Sequence, residues 1–225
     1  MLRGEIYGPA RDLLDAAHLN IVPKNGNKYR PIRIECAVCR FFGVVASDIA
    51  RKVVGPGLQP LQTGGGHRCG VEFGARMADL AYRQEDANLS VDIANAFNTV
   101  RHGPIFAAIL ERHSSVAHYF RWKYGSPSEM RDYSGTVVAH TRTGVGQGHP
   151  WGGLLFQLGY QAAFLQLSAH VQEVAAAYNR ARPSEPPLYQ VMGPRILMFH
   201  IASSIAPILA KHGLYMNVEK SHVTG

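Results

Sequence analysis

Aspartate is the scarce resource in this chain. The aspartates stand at 12, 15, 48, 79, 86, 92 and 132 of 225 residues, and none follows Asp132. Carboxylate chemistry on a divalent cation, or acid–base work by paired carboxylates, must draw on a short list, 16 Asp+Glu in all. Asp92 has the setting for it. It closes an apolar run at 88–93 (NLSVDI) that reads as a short buried strand. A strand end fixes the backbone while the carboxylate projects into a cleft. The plainer alternative is an aspartate that caps the following turn with its own side chain.

The second group is cationic. Residues 21–33 (IVPKNGNKYRPIR) carry Lys24, Lys28, Arg30 and Arg33 with no acid. The segment is extended and turn-rich, and Asn25-Gly26-Asn27 is a hairpin signal. Arginine forks onto phosphate oxygens and lysine acts as a point charge; a solvated basic turn is the other reading. Residues 144–150 (GVGQGHP) form a glycine-rich approach to a long helix. Glycines let backbone come close to a bound group, and the helix N-terminus faces anions. Gly65-Gly66 beside His67 and Arg68 could cradle phosphate, although no Walker Lys-Ser/Thr follows. Cys36 and Cys39 form one CxxC, and Cys69 stands alone. Zinc would need His67 and Cys69 as further ligands, and no second CxxC completes that pattern. The cysteines read as buried free thiols with no disulfide partner, in a reducing intracellular compartment.

These residues need elements to hold them. Hydrophobic residues make up 46% and charged residues 17%, with 23 Lys+Arg against 16 Asp+Glu for a net +7. That excludes a disordered tail and an acidic calcium store, and it allows one large domain or two small lobes. A basic surface favours a polyanionic partner. The N-terminus lacks an apolar h-region. The apolar stretch 151–177 is broken by Gln157, Gln161, Gln166, His170, Gln172 and Glu173, so it reads as a core helix and no membrane span is expected.

The spacing predicts a helix over 9–18 with Leu13, Leu14 and Ala17 on one face. A second covers 36–54, marked by Val38, Phe41, Val45, Ile49 and Val53, and others cover 71–84 and 103–113. Residues 55–70 read as a loop. A strand over 135–143 precedes a long helix ending near 180, then a proline linker at 183–187. The apolar run 188–199 is interrupted by Gly193-Pro194. A helix over 201–212 is capped by Gly213, and 214–218 reads as a strand. Strands and helices mix without βαβ regularity, which indicates an α+β class.

Four of these pieces, taken in order, resemble one family. They are 24–32 (KNGNKYRPI), 92–98 (DIANAFN), 144–156 (GVGQGHPWGGLLF) and 213–221 (GLYMNVEKS). Their order and spacing are similar to the fingers and palm of a reverse transcriptase, an RNA-directed DNA polymerase, of the non-LTR retrotransposon type. The likeness covers about residues 20–225.

It implies an α+β right-hand architecture with a small antiparallel palm sheet packed on helices. A helical segment would occupy 1–20, fingers 21–85 and palm 86–225, with the thumb absent. The implied reaction is template-directed nucleotidyl transfer to a primer 3′-hydroxyl by two-metal catalysis. By resemblance Asp92 is a ligand of Mg²⁺ (or Mn²⁺), and Phe97 is the steric gate against a 2′-hydroxyl. Lys24 and Arg30 contact the incoming triphosphate, and Gln147-Gly148 contacts template and nucleotide. Lys220 is the general acid that protonates pyrophosphate. For Phe97 and Lys220 the plainer alternatives are a core phenylalanine and an exposed lysine. The implied partners are an RNA or DNA template–primer and a dNTP, inside the cell and, in a eukaryote, in the nucleus.

The chain departs from the pattern in two places. His149 stands where the family has Asp, Cys or a small residue, and Trp151 where it has Leu. The family's aromatic-X-Asp-Asp turn falls by register within 188–198 (LYQVMGPRILM), where Gly193-Pro194 takes the place of Asp-Asp; a small deletion fits equally well. The acids beyond Asp132 are Glu173, Glu185 and Glu219. Little or no polymerase activity is therefore expected, because losing a metal ligand removes transition-state stabilisation. The alternatives are a non-catalytic nucleic-acid-binding remnant and a poorly folded relic.

Overall fold

The structure is a computed structural model. It describes all residues other than 1, 2, 4, 25, 65–68, 84–86, 185–194 and 225. The described residues divide into two compact units, Met1–Leu58 with Phe97–Gly159, and Gln59–Ala96 with Tyr160–Gly225.

The first unit is built on a four-stranded sheet in the order β2-β1-β4-β5. Strands β1 (Ala17–Lys24) and β2 (Lys28–Glu35) form the predicted hairpin, in register from Ala17↔Glu35 to Lys24↔Lys28. Gly26 and Asn27 take left-handed conformations at φ 76 and 56, which those two residue types tolerate and most others resist. Strand β4 (Ser128–Arg131) runs parallel to β1 and antiparallel to β5 (Val137–Thr141). The turn between β4 and β5 is tied by Asp132, whose carboxylate accepts from the Ser134 hydroxyl at 2.6 Å and from the Ser134 and Thr136 amides at 2.9 and 3.0 Å. Those bonds, the Ser134 hydroxyl first, hold the Asp132 carboxyl below its usual range.

Helix α1 (Gly8–Asp15) is shorter than the predicted 9–18, and Ala17 already belongs to β1. Its inward residues are Arg11 and Asp15, four apart, and Leu13 faces solvent. Helix α2 (Ala37–Leu58) extends into the predicted 55–70 loop. Its large apolar residues turn outward: Phe41 is 64% exposed, and Val38, Val44, Ile49 and Val53 are exposed too. The buried face is made of small residues along most of its length, Cys39, Gly43, Ala46, Ser47 and Ala50, and ends on Val54, Gly55 and Leu58. Small side chains let a neighbour come close. A Cβ on Gly43 would lie 3.3 Å from His149 Nε2 and 3.4 Å from the Pro150 ring. Ser47 Oγ donates to the Pro150 carbonyl at 3.1 Å.

Helices α4 (Ala96–Thr99), α5 (His102–Arg112) and α6 (Ala117–Tyr124) follow in the chain. The sequence reading assigned neither α6 nor β4. Helix α6 buries Tyr119, Phe120, Trp122 and Lys123. Helix α7 (Gly152–Ala181) is the predicted long helix, and its first residues, to Gly159, belong to this unit.

The second unit holds α3 (Gly70–Arg83), the rest of α7 and α8 (Arg195–Lys211). Its two-stranded sheet pairs β3 (Asn88–Ser90) with β6 (His222–Thr224) antiparallel. The predicted strand over 214–218 is reduced to a single bridge, Ile93↔Met216, followed by a 3-10 turn at Val218–Lys220. No helix among the described residues is long and apolar enough to cross a membrane.

Candidate nucleic-acid interface

The pocket of the first unit spans its sheet. It has a volume of about 320 Å³ and takes Leu19 from β1, Pro31 and Arg33 from β2, Met130 from β4 and His140 and Thr141 from β5. Asn98, Tyr124, Arg142 and residues 143–147 complete the wall. No acid lines it. Gln147, one of the sequence-derived residues, is therefore in a largely apolar pocket that also holds Arg33 and Arg142, with Gly148 next to it at φ 91.

Strand alternation sorts the hairpin's cations. Residues directly opposite in an antiparallel pair share a face, and successive residues alternate. Pro31 and Arg33 belong to the pocket face. Arg30, Lys28 and Lys24, the last paired with Lys28, fall on the other face. Lys24 and Arg30 thus share one surface of the hairpin while Gln147 lies with Arg33.

The loop that carries Gln147 is held from both ends. Gly144 N–H donates to Val100 O and Val145 N–H to Phe97 O, each at 2.8 Å. Gly144 has φ 82, and a Cβ there would sit 2.7 Å from Asn98 O and 2.8 Å from Asn98 Cα. Gly144→Ala is expected to cost about 2 kcal/mol through strain alone and to shift the loop. A urea midpoint unchanged from the parent would contradict this.

Beyond the glycines, His149 and Trp151, the two residues that depart from the family pattern, are core. Trp151 is 0% exposed and its ring packs on Tyr119 at 5.0 Å. His149 Nδ1 accepts the Trp151 N–H at 3.1 Å, which places the ring proton on Nε2.

Beneath the pocket is a buried ionic hub that sequence reasoning missed. Asp15 receives Lys123 Nζ at 2.6 Å, Arg33 at 3.2 Å, Arg11 at 3.2 Å and the Ser128 hydroxyl. Glu35 faces Lys123 at 2.8 Å, Arg33 at 3.3 Å and His149 at 3.6 Å. Asp15 and Lys123 are each 1% exposed. Burial works against the Glu35 charge, but Lys123, His149 and Arg33 outweigh it and lower its pKa. For His149 burial dominates and brings the pKa down to about 4, so the imidazole is neutral at pH 7. Arg33 is both pocket wall and hub member, so the hub fixes the pocket's cation. One local signal was present: Arg33 and Glu35, two apart on a strand, must share a face.

Phe97 is half-buried in the first unit. Its ring stacks on Phe156 with centroids 5.0 Å apart, and lies 3.7 Å from where a Cβ on Gly152 would stand. It has core contacts on this side.

In the second unit the structure brings Asp92 and Lys220 together across 128 positions of sequence. The residues around Asp92 are fixed by backbone: Asn217 N–H donates to Asp92 O at 2.8 Å, and Asp92 N–H donates to Ser221 Oγ at 3.1 Å. Lys220 Nζ lies 3.8 Å from the Asp92 carboxylate, and both side chains are about half exposed. Such a pair is screened and adds little stability. Lys220→Ala is expected to change the unfolding free energy by less than about 1 kcal/mol; a larger loss in a urea titration would assign it a structural role.

Among the described residues the donor set does not suit a two-cation centre. Asp92 has an ammonium beside it, and among the described residues no three His, Cys, Asp or Glu side chains converge. Gly193 and Pro194 lie outside the described residues, as do Glu185 and His67. Glycine and proline offer no side-chain oxygen in any placement.

The class that this architecture defines is a mixed α+β, distant reverse-transcriptase-like fold. A matching solved structure is an apo telomerase from Candida tropicalis, truncated from its C-terminal domain. The chain is similar to it at a TM-score of 0.53 with 10% sequence identity, over 97% of this chain. It spans about half of that neighbour, 51% of its length. At that identity the likeness is one of fold. No family model matches the sequence, and no curated protein matches it.

Proposed function

We propose that this chain is a reverse-transcriptase-type domain, of retroelement kind, that binds nucleic acid and carries out little or no nucleotidyl transfer. The observation that carries the reading is a pocket with Arg33, Arg142 and Gln147 and, among the described residues, no acid; the hairpin that gives it Arg33 bears Lys24, Lys28 and Arg30 on its other face. Phosphates of a template–primer would be taken by the hairpin's cations, which release counterions on binding. A nucleotide or template base would meet Gln147 and the glycine backbone beside it. The fold neighbour's being a telomerase agrees with a nucleic-acid partner. Asp92 paired with Lys220, and Gly-Pro at the register of the second carboxylates, argue against divalent-metal catalysis.

The test compares binding with extension on one labelled RNA–DNA primer–template. Binding that weakens steeply with salt, without primer extension in Mg²⁺ or Mn²⁺ and all four dNTPs, is expected. Robust extension would overturn the loss of catalysis, and salt-insensitive or absent binding would overturn the reading as a whole. Lys24→Ala with Arg30→Ala is expected to weaken binding about tenfold on every sequence and to reduce the salt slope by about 2. A slope equal to the parent's would remove those two residues from the interface.

A further inference from the structure

The CxxC pair at the start of α2 has a geometry that the proposed function does not use. Cys36 immediately precedes the helix, and its carbonyl accepts the Arg40 N–H at 3.0 Å, the first bond of the helical ladder. Cys36 Sγ accepts the Cys39 N–H at 3.3 Å. Both thiols then donate to one acceptor, the Leu14 carbonyl, Cys36 at 3.4 Å. Two sulfurs sharing one oxygen are within reach of each other. Residues three apart at a helix start also fall within the Cα separation a disulfide requires. The two thiols are unlike. Cys36 is half-buried, whereas Cys39 is 1% exposed.

We propose that Cys36 and Cys39 form a reversible dithiol–disulfide site that reacts with low-molecular-weight disulfides of the glutathione type, Cys36 attacking and Cys39 resolving. In the first step the Cys36 sulfur, having lost its proton to solvent, attacks one sulfur of the disulfide RSSR. Its S–S bond breaks, and one thiolate leaves and takes up a proton. In the second step Cys39 loses its proton and attacks Cys36 Sγ, expelling the second RS⁻. Two protein thiols are oxidised and one RSSR is reduced to two RSH, so electrons and protons balance.

The asymmetry sets the order. Burial pushes the Cys39 thiol up to about 12, with Lys123 acting in the opposite direction and Cys36 in the same one. Cys39 therefore keeps its proton until Cys36 presents a disulfide sulfur beside it. The Cys39 N–H aimed at Cys36 Sγ is a donor to the sulfur on which charge gathers during exchange. Closure removes both S–H donors from Leu14 O, next to Asp15 of the hub.

The test uses the full chain with Cys69→Ser, because Cys69 is exposed and would react by itself. Treated with oxidised glutathione, the protein is expected to lose two thiols, retain no glutathione and yield a peptide linked Cys36 to Cys39. Dithiothreitol should reverse it. Cys39→Ser is expected to trap one glutathione on Cys36, while in the reduced parent iodoacetamide labels Cys36 at least about tenfold faster than Cys39. Glutathione held on Cys36 with Cys39 still free in the parent would overturn the proposal. So would equal labelling rates, or no reaction at Cys36. The parent measurements decide the matter even if Cys39→Ser fails to fold.

Discussion

Asp15→Ala is expected to lower the stability of the first unit by about 3–5 kcal/mol, the range for breaking a buried ionic cluster by removing one partner. The reason is the company Asp15 keeps. Lys123, Arg11 and Arg33 all face it, and Lys123 is as buried as Asp15 itself. Without the carboxylate Arg11 keeps Asp12, but Arg33 and Lys123 answer to Glu35 alone, and Lys123 would be left underpaired in a low-dielectric interior. Both tryptophans, Trp122 and Trp151, belong to this unit, so their fluorescence in urea reports its unfolding. Asp48→Ala serves as the control, because the Asp48–Lys52 pair is exposed and should contribute under about 1 kcal/mol. If Asp15→Ala lost no more than that control, the hub would have no energetic meaning. The effect should reach the pocket as well, since Arg33 lines it and is held by Asp15.

Acid should weaken the same unit from about pH 6.5 downward, above the range in which Glu35 contributes. His149 is neutral in the fold with its pKa brought from 6.5 to about 4. Burial is the main cause, and Lys123 and Arg33 add to it against Glu35 and Asp15. The Tyr124 ring also faces it edge-on at 6.2 Å. Protonation would also turn Nδ1 into a donor aimed at the Trp151 N–H. Between those two pH values the unfolded chain binds more protons at this site than the folded one, so stability rises with pH. The contribution is complete above about pH 6.5 and falls away toward pH 4, by on the order of 3 kcal/mol. Glu35, its pKa lowered in the fold, acts in the same direction below its unfolded value of 4.5. Urea midpoints taken from pH 7 to pH 4 measure this. His149→Gln, which removes the titration, should flatten the upper part of that curve. A parent curve already flat between pH 6.5 and 5 would show that the imidazole is not buried neutral.

Local chemistry made part of the architecture legible before any coordinates. The hairpin followed from Asn25-Gly26-Asn27 between short runs, the long α7 from sustained apolar spacing, and the α+β class from the mixture. Helix α2 was found by its spacing, yet its burial was not. Large apolar residues gave the period, while the face that packs is small from Cys39 to Ala50, because closeness to His149 and Pro150 outweighs side-chain size there. Strand β4 and helix α6 escaped notice because neither has a clean period: β4 is four residues long, and α6 buries Lys123 among aromatics. At the site, Gln147 was picked out by its glycines. Arg142 and Arg33 as pocket walls were not, since nothing in their neighbours marks which face they take.

What the sequence by itself determined is the ordered set of chemical parts: a basic hairpin, Asp92 in DIANAFN, the glycine loop at Gln147, Lys220, and no aspartate after 132. These are properties of neighbours along the chain, and neighbours are what a sequence states. Only the tertiary structure decided that Lys220 stands beside Asp92 and that Lys24 and Arg30 face away from Gln147. The same holds for Asp15, Glu35, Lys123 and His149, which form one buried cluster. The members of that cluster come from α1, β2, α6 and the loop before α7. No spacing rule links them, and a buried charge has no signature until the partners that compensate it have been folded against it.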